Sequence, residues 1–196
     1  MKNNIQNLTL TALMAAILCI MGPIVIPIGM VPMSFANMVI YLTIILLDKK
    51  RATISVALYL LIGFVGIPVF SGFAGGAGKL FGPTGGYLIG YLVLSWIAGT
   101  VLEILNKTND ENKISISPSN KVKSVEKNIN YEQMLALAVG NISLYLVGTM
   151  WLMIQSKLTF VTALSVGVLP FAIFDVIKII LAISIGNSIK KRISFL

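Results

Sequence analysis

The sequence contains no histidine and a single cysteine, Cys19. Without histidine, neither a Ser/His nor a Cys/His catalytic arrangement is available, and the familiar zinc sites are excluded. One cysteine permits no intrachain disulfide and no thiolate cluster. Set among Leu18, Ile20 and Met21, it reads as buried filler. Charge is scarce as well: 11% of residues are Asp, Glu, Lys or Arg, with only seven acids, where about 25% charged is usual in soluble domains. So few acids and no histidine leave little for an enzyme to work with. No catalytic residue, cofactor or metal is expected.

What fills the space is apolar. Hydrophobic residues make up 57% of the 196, and the 17 glycines raise the apolar share to about two-thirds, against roughly 45–50% for a soluble domain. A chain of this length has too much surface for its volume to hide that excess from water. A lipid solvent accommodates it, and the expectation is an all-α polytopic membrane protein embedded in the bilayer.

Charge spacing locates the spans. No charged residue lies between Lys2 and Asp48, only Lys79 between Arg51 and Glu103, and only Lys157, Asp175 and Lys178 between Glu132 and Lys190. Each block is long enough for two crossings of about 20 residues. Proline and glycine divide the blocks, giving six transmembrane helices over approximately 8–22, 33–47, 52–67, 82–102, 133–154 and 168–189. The run from Lys2 into Leu8 carries no clean small-residue cleavage pattern and reads as a retained first span. The segment Ile24–Pro32 is apolar but too rich in breakers for a regular helix. Its free backbone groups require protein or a water-filled cavity around them, which hints at a ligand site nearby.

With the N-terminus in the cytoplasm, 12 of the 15 positive residues fall on the cytoplasmic side, so both termini are expected inside. The polar stretch 106–130 is expected to be a cytoplasmic linker within a single membrane domain. The +8 charge is thereby spent on orientation, and no nucleic-acid partner is expected.

Asp175 and Lys178 are the sharpest chemical feature. At i,i+3 they share a helix face, and charged groups inside a span face the bundle interior or a cavity. They are either a mutually neutralising pair or a polar anchor for a ligand. Asn141 and Tyr145, four apart, also share a face, and the Asn141 amide needs a partner from another helix or from a ligand. Gly82, Gly86 and Gly90 form a small-residue ridge suited to close helix packing. The stretch Gly66–Gly82 is not a phosphate-binding loop, since it lacks the G-x-x-x-x-G-K-[ST] pattern. Its glycine content makes it the candidate lid. Lys79 is a lone positive there. Ala12 and Ala16 give the first helix a smooth edge against which a neighbouring protein could pack.

The residues also carry a resemblance. Gly66-Ile-Pro-Val-Phe70 through Gly82-Pro-Thr-Gly-Gly-Tyr87-Leu-Ile-Gly90-Tyr is similar to the pattern of the BioY family, the biotin-binding S components of energy-coupling-factor (ECF) vitamin transporters. So are Gly140-Asn-Ile-Ser-Leu-Tyr145-Leu-Val-Gly148-Thr-Met-Trp151-Leu152, Leu169-Pro-Phe171 leading to Asp175 and Lys178, and Val31-Pro32-Met33-Ser34. The likeness covers nearly the whole chain. Ile173-Phe174 stands where the family often has Pro-Gly, and Asp48-Lys-Lys-Arg51 replaces a usual Gly-Pro.

The resemblance implies biotin capture at the outer face of a bacterial-type plasma membrane. It also implies partnership with a transmembrane coupling (T) subunit and two ATPase subunits, for which the Ala12–Ala16 face is the expected contact. In that reading Asp175 accepts a ureido N–H, and Lys178 reaches a ligand oxygen or holds Asp175. Asn141 and Tyr145 add hydrogen bonds, Tyr87 forms a wall, and Lys79 meets the acid tail. The alternatives are an S component for another small vitamin, or a biotin transporter working without a dedicated coupling complex.

Overall fold

The structure, a computed structural model, describes residues 2–27, 31–112 and 121–193, with side chains over 5–27, 31–108 and 131–192. Apolar runs free of breakers form helices: α1 (Lys2–Met21), α2 (Ala36–Leu46), α3 (Lys49–Phe64), α4 (Ala77–Leu80), α5 (Gly85–Asn112), α6 (Lys121–Ser156), α7 (Phe160–Gly167) and α8 (Leu169–Ile193). Two short antiparallel strands, β1 (Val25–Ile26) and β2 (Met33–Ser34), pair Val25 with Ser34 and Ile26 with Met33.

The helices differ from expectation at their ends, for one reason. Polar residues mark where a helix leaves apolar surroundings, not where its backbone stops. Residues 106–112 carry no breaker and continue α5, and residues 121–130 begin α6. Residues 113–120 of the expected linker lie outside the described residues. Likewise α1 begins at Lys2, not near Leu8. Conversely α2 loses Met33 and Ser34 to β2. Ser34 Oγ donates to the Gly22 carbonyl at 3.1 Å and accepts from the Ala36 amide at 3.0 Å, closing the turn into α2. After α3, Gly66 at φ +112° turns the chain in a conformation that a side chain would resist.

α5 and α6 pack most extensively, with α2 against α8, α3 against α5 and α1 against α3. The glycines explain the closeness of the first pair. A Cβ on Gly86 would lie 2.1 Å from Trp151 Cβ, and one on Gly140 would lie 2.7 Å from Ala98 Cβ. One core runs through Leu18, Ile40, Tyr41, Val56, Leu94 and Leu137. A second, smaller cluster of Val31, Met33, Leu152, Ala163 and Phe171 joins the hairpin to α6, α7 and α8.

Outward faces are apolar. Ile142, Leu146, Met150 and Ile154 form an exposed i,i+4 stripe along α6, while Asn141, Tyr145 and Thr149 turn inward. That inverted amphipathicity suits lipid. Three helical segments, Gly85–Thr108, Tyr131–Ser156 and Leu169–Arg192, are long and apolar enough to cross a membrane. Ile5–Met21 and Ala36–Leu46 are shorter apolar helices.

Candidate functional site

α8 opens on Leu169-Pro170, where proline is tolerated because the first helical turn has no internal acceptor for its missing N–H. This start sets Asp175 and Lys178 in the following turns, facing inward, with side chains 2% and 8% exposed. Lys178 Nζ donates to Asp175 Oδ1 at 3.1 Å and to the Ser34 carbonyl at 3.0 Å. The other carboxylate oxygen, Asp175 Oδ2, accepts from the Tyr145 hydroxyl at 2.5 Å. The lysine therefore does two things. It neutralises the buried acid, and it satisfies a carbonyl of the irregular segment that no helix could serve. An ammonium has three hydrogens, so one remains for a ligand.

Beside the pair lies a cavity bounded by Ser34, Asn37, Tyr87, Tyr91, Leu144 and Phe171. Its free volume is about 40 Å³, room for a water or two. Pockets that enclose small organic ligands run to roughly 300–1,000 Å³. This cavity is smaller than that.

Tyr87 forms a wall of this cavity, and its hydroxyl donates to the Gly167 carbonyl at 3.1 Å. It fits because two glycines flank it: a Cβ on Gly148 would lie 2.3 Å from ring Cδ1, and one on Gly167 would lie 2.1 Å from the hydroxyl. Asn141 stands one layer back. Its Oδ1 accepts from Tyr41 at 2.8 Å, both residues are buried, and the amide does not line the cavity. The partner the amide needs comes from α2.

The sequence reading thus finds Asp175, Lys178, Tyr145 and Tyr87 gathered at one place. It missed Ser34, Asn37, Tyr91 and Phe171. Tyr91 had a readable signal, lying four residues after Tyr87 on the same helix face. Ser34 takes part through its backbone, which no side-chain pattern reveals.

A model of the BioY family matches residues 1–195. The chain belongs to the BioY family. It is similar to the biotin transporter BioY of Lactococcus lactis subsp. cremoris, with 34% identity over 100% of this chain and 97% of that one. It is likewise similar to the biotin transporter BioY of Thermotoga maritima, with 31% identity over 95% and 96% of the two chains. Among solved structures it matches the S-component for biotin from an ECF-type ABC transporter, with a TM-score of 0.81 and 32% identity over 97% of this chain and 93% of that one.

Two expected features of this BioY chain lie away from the cavity. Lys79 sits on α4 and is not among the lining residues. The glycine-rich stretch that carries it is held elsewhere: Gly72 N–H donates to the Pro23 carbonyl at 3.1 Å, Gly76 N–H donates to the Gly63 carbonyl at 2.7 Å, and Phe70 bridges Ala74. Trp151 and Gln155 donate to the carbonyls of Gly82 and Phe81, tying its end to α6. Residues 31–34 line the cavity beside Asp175, as do Gly167 and Phe171 at the α7–α8 junction. Ala12 and Ala16 face outward on α1, beside exposed Leu8, Leu13 and Ile20.

Proposed function

We propose that this chain captures biotin at the outer membrane face and carries it inward as the substrate-binding subunit of an ECF-type transporter. The relatives are named biotin transporters, and the matching structure is the biotin S-component of such a system. The observation that carries the reading at the level of residues is the buried Asp175–Lys178 pair abutting a cavity. A ureido ring presents N–H donors beside a carbonyl acceptor. Asp175 receives an N–H, and Lys178 donates to the carbonyl oxygen. Tyr145 fixes the carboxylate, Tyr87 and Phe171 enclose the apolar bicycle, and Asn141 supports Tyr145 from behind. Lys79, on α4 and outside the cavity lining, takes no part in this site.

Binding requires the cavity to widen. The polar contact between the hairpin and α8 is Lys178 Nζ to the Ser34 carbonyl. Withdrawal of residues 31–34 breaks it and frees a second ammonium hydrogen, which the ligand oxygen then takes up. Six spans are formed by α1, α2, α3, α5, α6 and α8, with both termini cytoplasmic, as the Lys/Arg bias favours. The outward Ala12–Ala16 edge receives the coupling subunit, and the two ATPase subunits drive release, since the chain has no phosphate-binding loop of its own.

Equilibrium titration of the purified chain with biotin in detergent tests the reading, with other vitamins as unlabelled competitors. Saturable biotin binding that other vitamins do not displace supports it. Preferential displacement by a different vitamin makes the chain an S component for that nutrient, and no binding of biotin refutes the assignment.

A further inference from the structure

Beginning little more than one turn beyond Asp175 along α8, at Ile180, and running to Lys191, a cleft of about 750 Å³ separates that helix from the α5–α6 pair. Its walls differ in chemistry along its length. Leu102, Met134, Ile180 and Ile183 form an apolar part, and Met134 and Ile180 are about half-exposed, so the cleft opens sideways onto the apolar outer surface. Towards the helix ends the lining becomes polar, with Tyr131, Ser184, Ser188, Lys190 and Lys191. Lys190 makes no ion pair with a described residue. Gln133 is 3% exposed. Its Nε2 donates to Asn187 Oδ1 at 3.1 Å, while its Oε1 is buried and has no hydrogen-bond partner among the described residues. A buried acceptor without a donor is costly and rare.

We propose that this cleft is a binding site for one anionic phospholipid with a hydroxylated headgroup, the chemistry of phosphatidylglycerol. The phosphate pairs with Lys190 and Lys191, a headgroup hydroxyl donates to Gln133 Oε1, and an acyl chain lies along Leu102, Met134 and Ile180. Basic pockets between membrane helices at the bilayer surface suit such headgroups. The partial negative charge of the α8 C-terminus works against an anion, and the three consecutive basic residues Lys190, Lys191 and Arg192 outweigh it. A soluble phosphate ester would use the lysines but gain nothing from the apolar wall.

The test is native mass spectrometry of the full chain in neutral detergent with added lipid. Phosphatidylglycerol is expected to be retained at least fivefold more than phosphatidylcholine. Phosphatidylmethanol, a phosphodiester with the same single charge and no headgroup hydroxyl, falls between them. Lys190→Gln with Lys191→Gln lowers phosphatidylglycerol retention at least fivefold, and the corresponding arginine pair keeps it. Gln133→Leu brings phosphatidylglycerol down to the level of phosphatidylmethanol and leaves phosphatidylmethanol unchanged. Should the glutamine pair not fold, that ratio decides alone. Equal retention of phosphatidylglycerol and phosphatidylcholine overturns the proposal. So does retention unaffected by the glutamine pair, including the case in which that pair instead abolishes co-purification with a coupling subunit. Competition by glycerol phosphate at the lipid's own concentration overturns the lipid assignment in favour of a soluble ester.

Discussion

Removing Asp175 and Lys178 together separates a structural ion pair from a ligand anchor. Both side chains are almost fully buried, so solvent screening gives little relief. Lys178→Met alone leaves a carboxylate whose remaining bond is the Tyr145 hydroxyl, and it strips the Ser34 carbonyl of its donor. Breaking a buried pair from one side costs about 3–5 kcal/mol. Asp175→Asn alone costs less, because Lys178 keeps the Ser34 carbonyl.

In Asp175→Asn/Lys178→Met no charge is left behind. Stability should then recover most of what Lys178→Met loses, as happens when buried pairs are replaced whole. Biotin binding should not recover. Two charge-assisted hydrogen bonds at ~1.5–3 kcal/mol each amount to ~3–6 kcal/mol, more than a hundredfold in Kd. Thermal unfolding in detergent reads the first quantity and calorimetric titration with biotin the second. A folded double variant that binds biotin within threefold of the parent would show that the pair is structural and that the ligand sits elsewhere.

Gly167→Ala should lower stability by ~1–3 kcal/mol, because the new methyl meets the Tyr87 hydroxyl. Adding Tyr87→Phe removes the clashing oxygen and should restore part of the loss, and thermal unfolding of the two variants shows whether it does. Tyr41→Phe leaves buried Asn141 Oδ1 without its donor and should cost ~1–3 kcal/mol in the same assay, with biotin affinity reduced less than by Asp175→Asn. Ala12→Trp with Ala16→Trp should leave biotin titrations of the isolated chain unchanged, since both positions face outward. Co-purification with the coupling subunit should be lost, and a drop in biotin affinity would instead place this edge in contact with the site.

Much was legible because lipid imposes coarse rules. Long uncharged blocks gave α1, α2, α3, α5, α6 and α8, and the rarity of embedded charge singled out Asp175 and Lys178. Two residues of the expected ridge, Gly86 and Gly90, pack against Trp151 and Leu144 of α6, since close backbone packing in lipid needs small residues, whereas Gly82 lies before α5. Helix ends were not legible: Asn106–Asn112 reads as linker by polarity but contains nothing that breaks a helix. The part of Ser34 in the site was not legible either. Its contribution to Lys178 is a backbone carbonyl common to every residue type. The glycine-rich stretch Gly66–Gly82 is tied by backbone hydrogen bonds to Pro23 and Gly63, pairings that composition does not encode.

The intimate contact of α5 with α6 bears on how the ligand preference of this scaffold can be altered. Glycine at 86, 140 and 148 lets the two helices touch with no slack to yield, so enlarging residues on their shared seam will force them apart before it reshapes the pocket. Met33, Asn37 and Phe171 line the cavity outside that seam. A library seeking acceptance of a bulkier vitamin should therefore randomise these three and leave the seam alone.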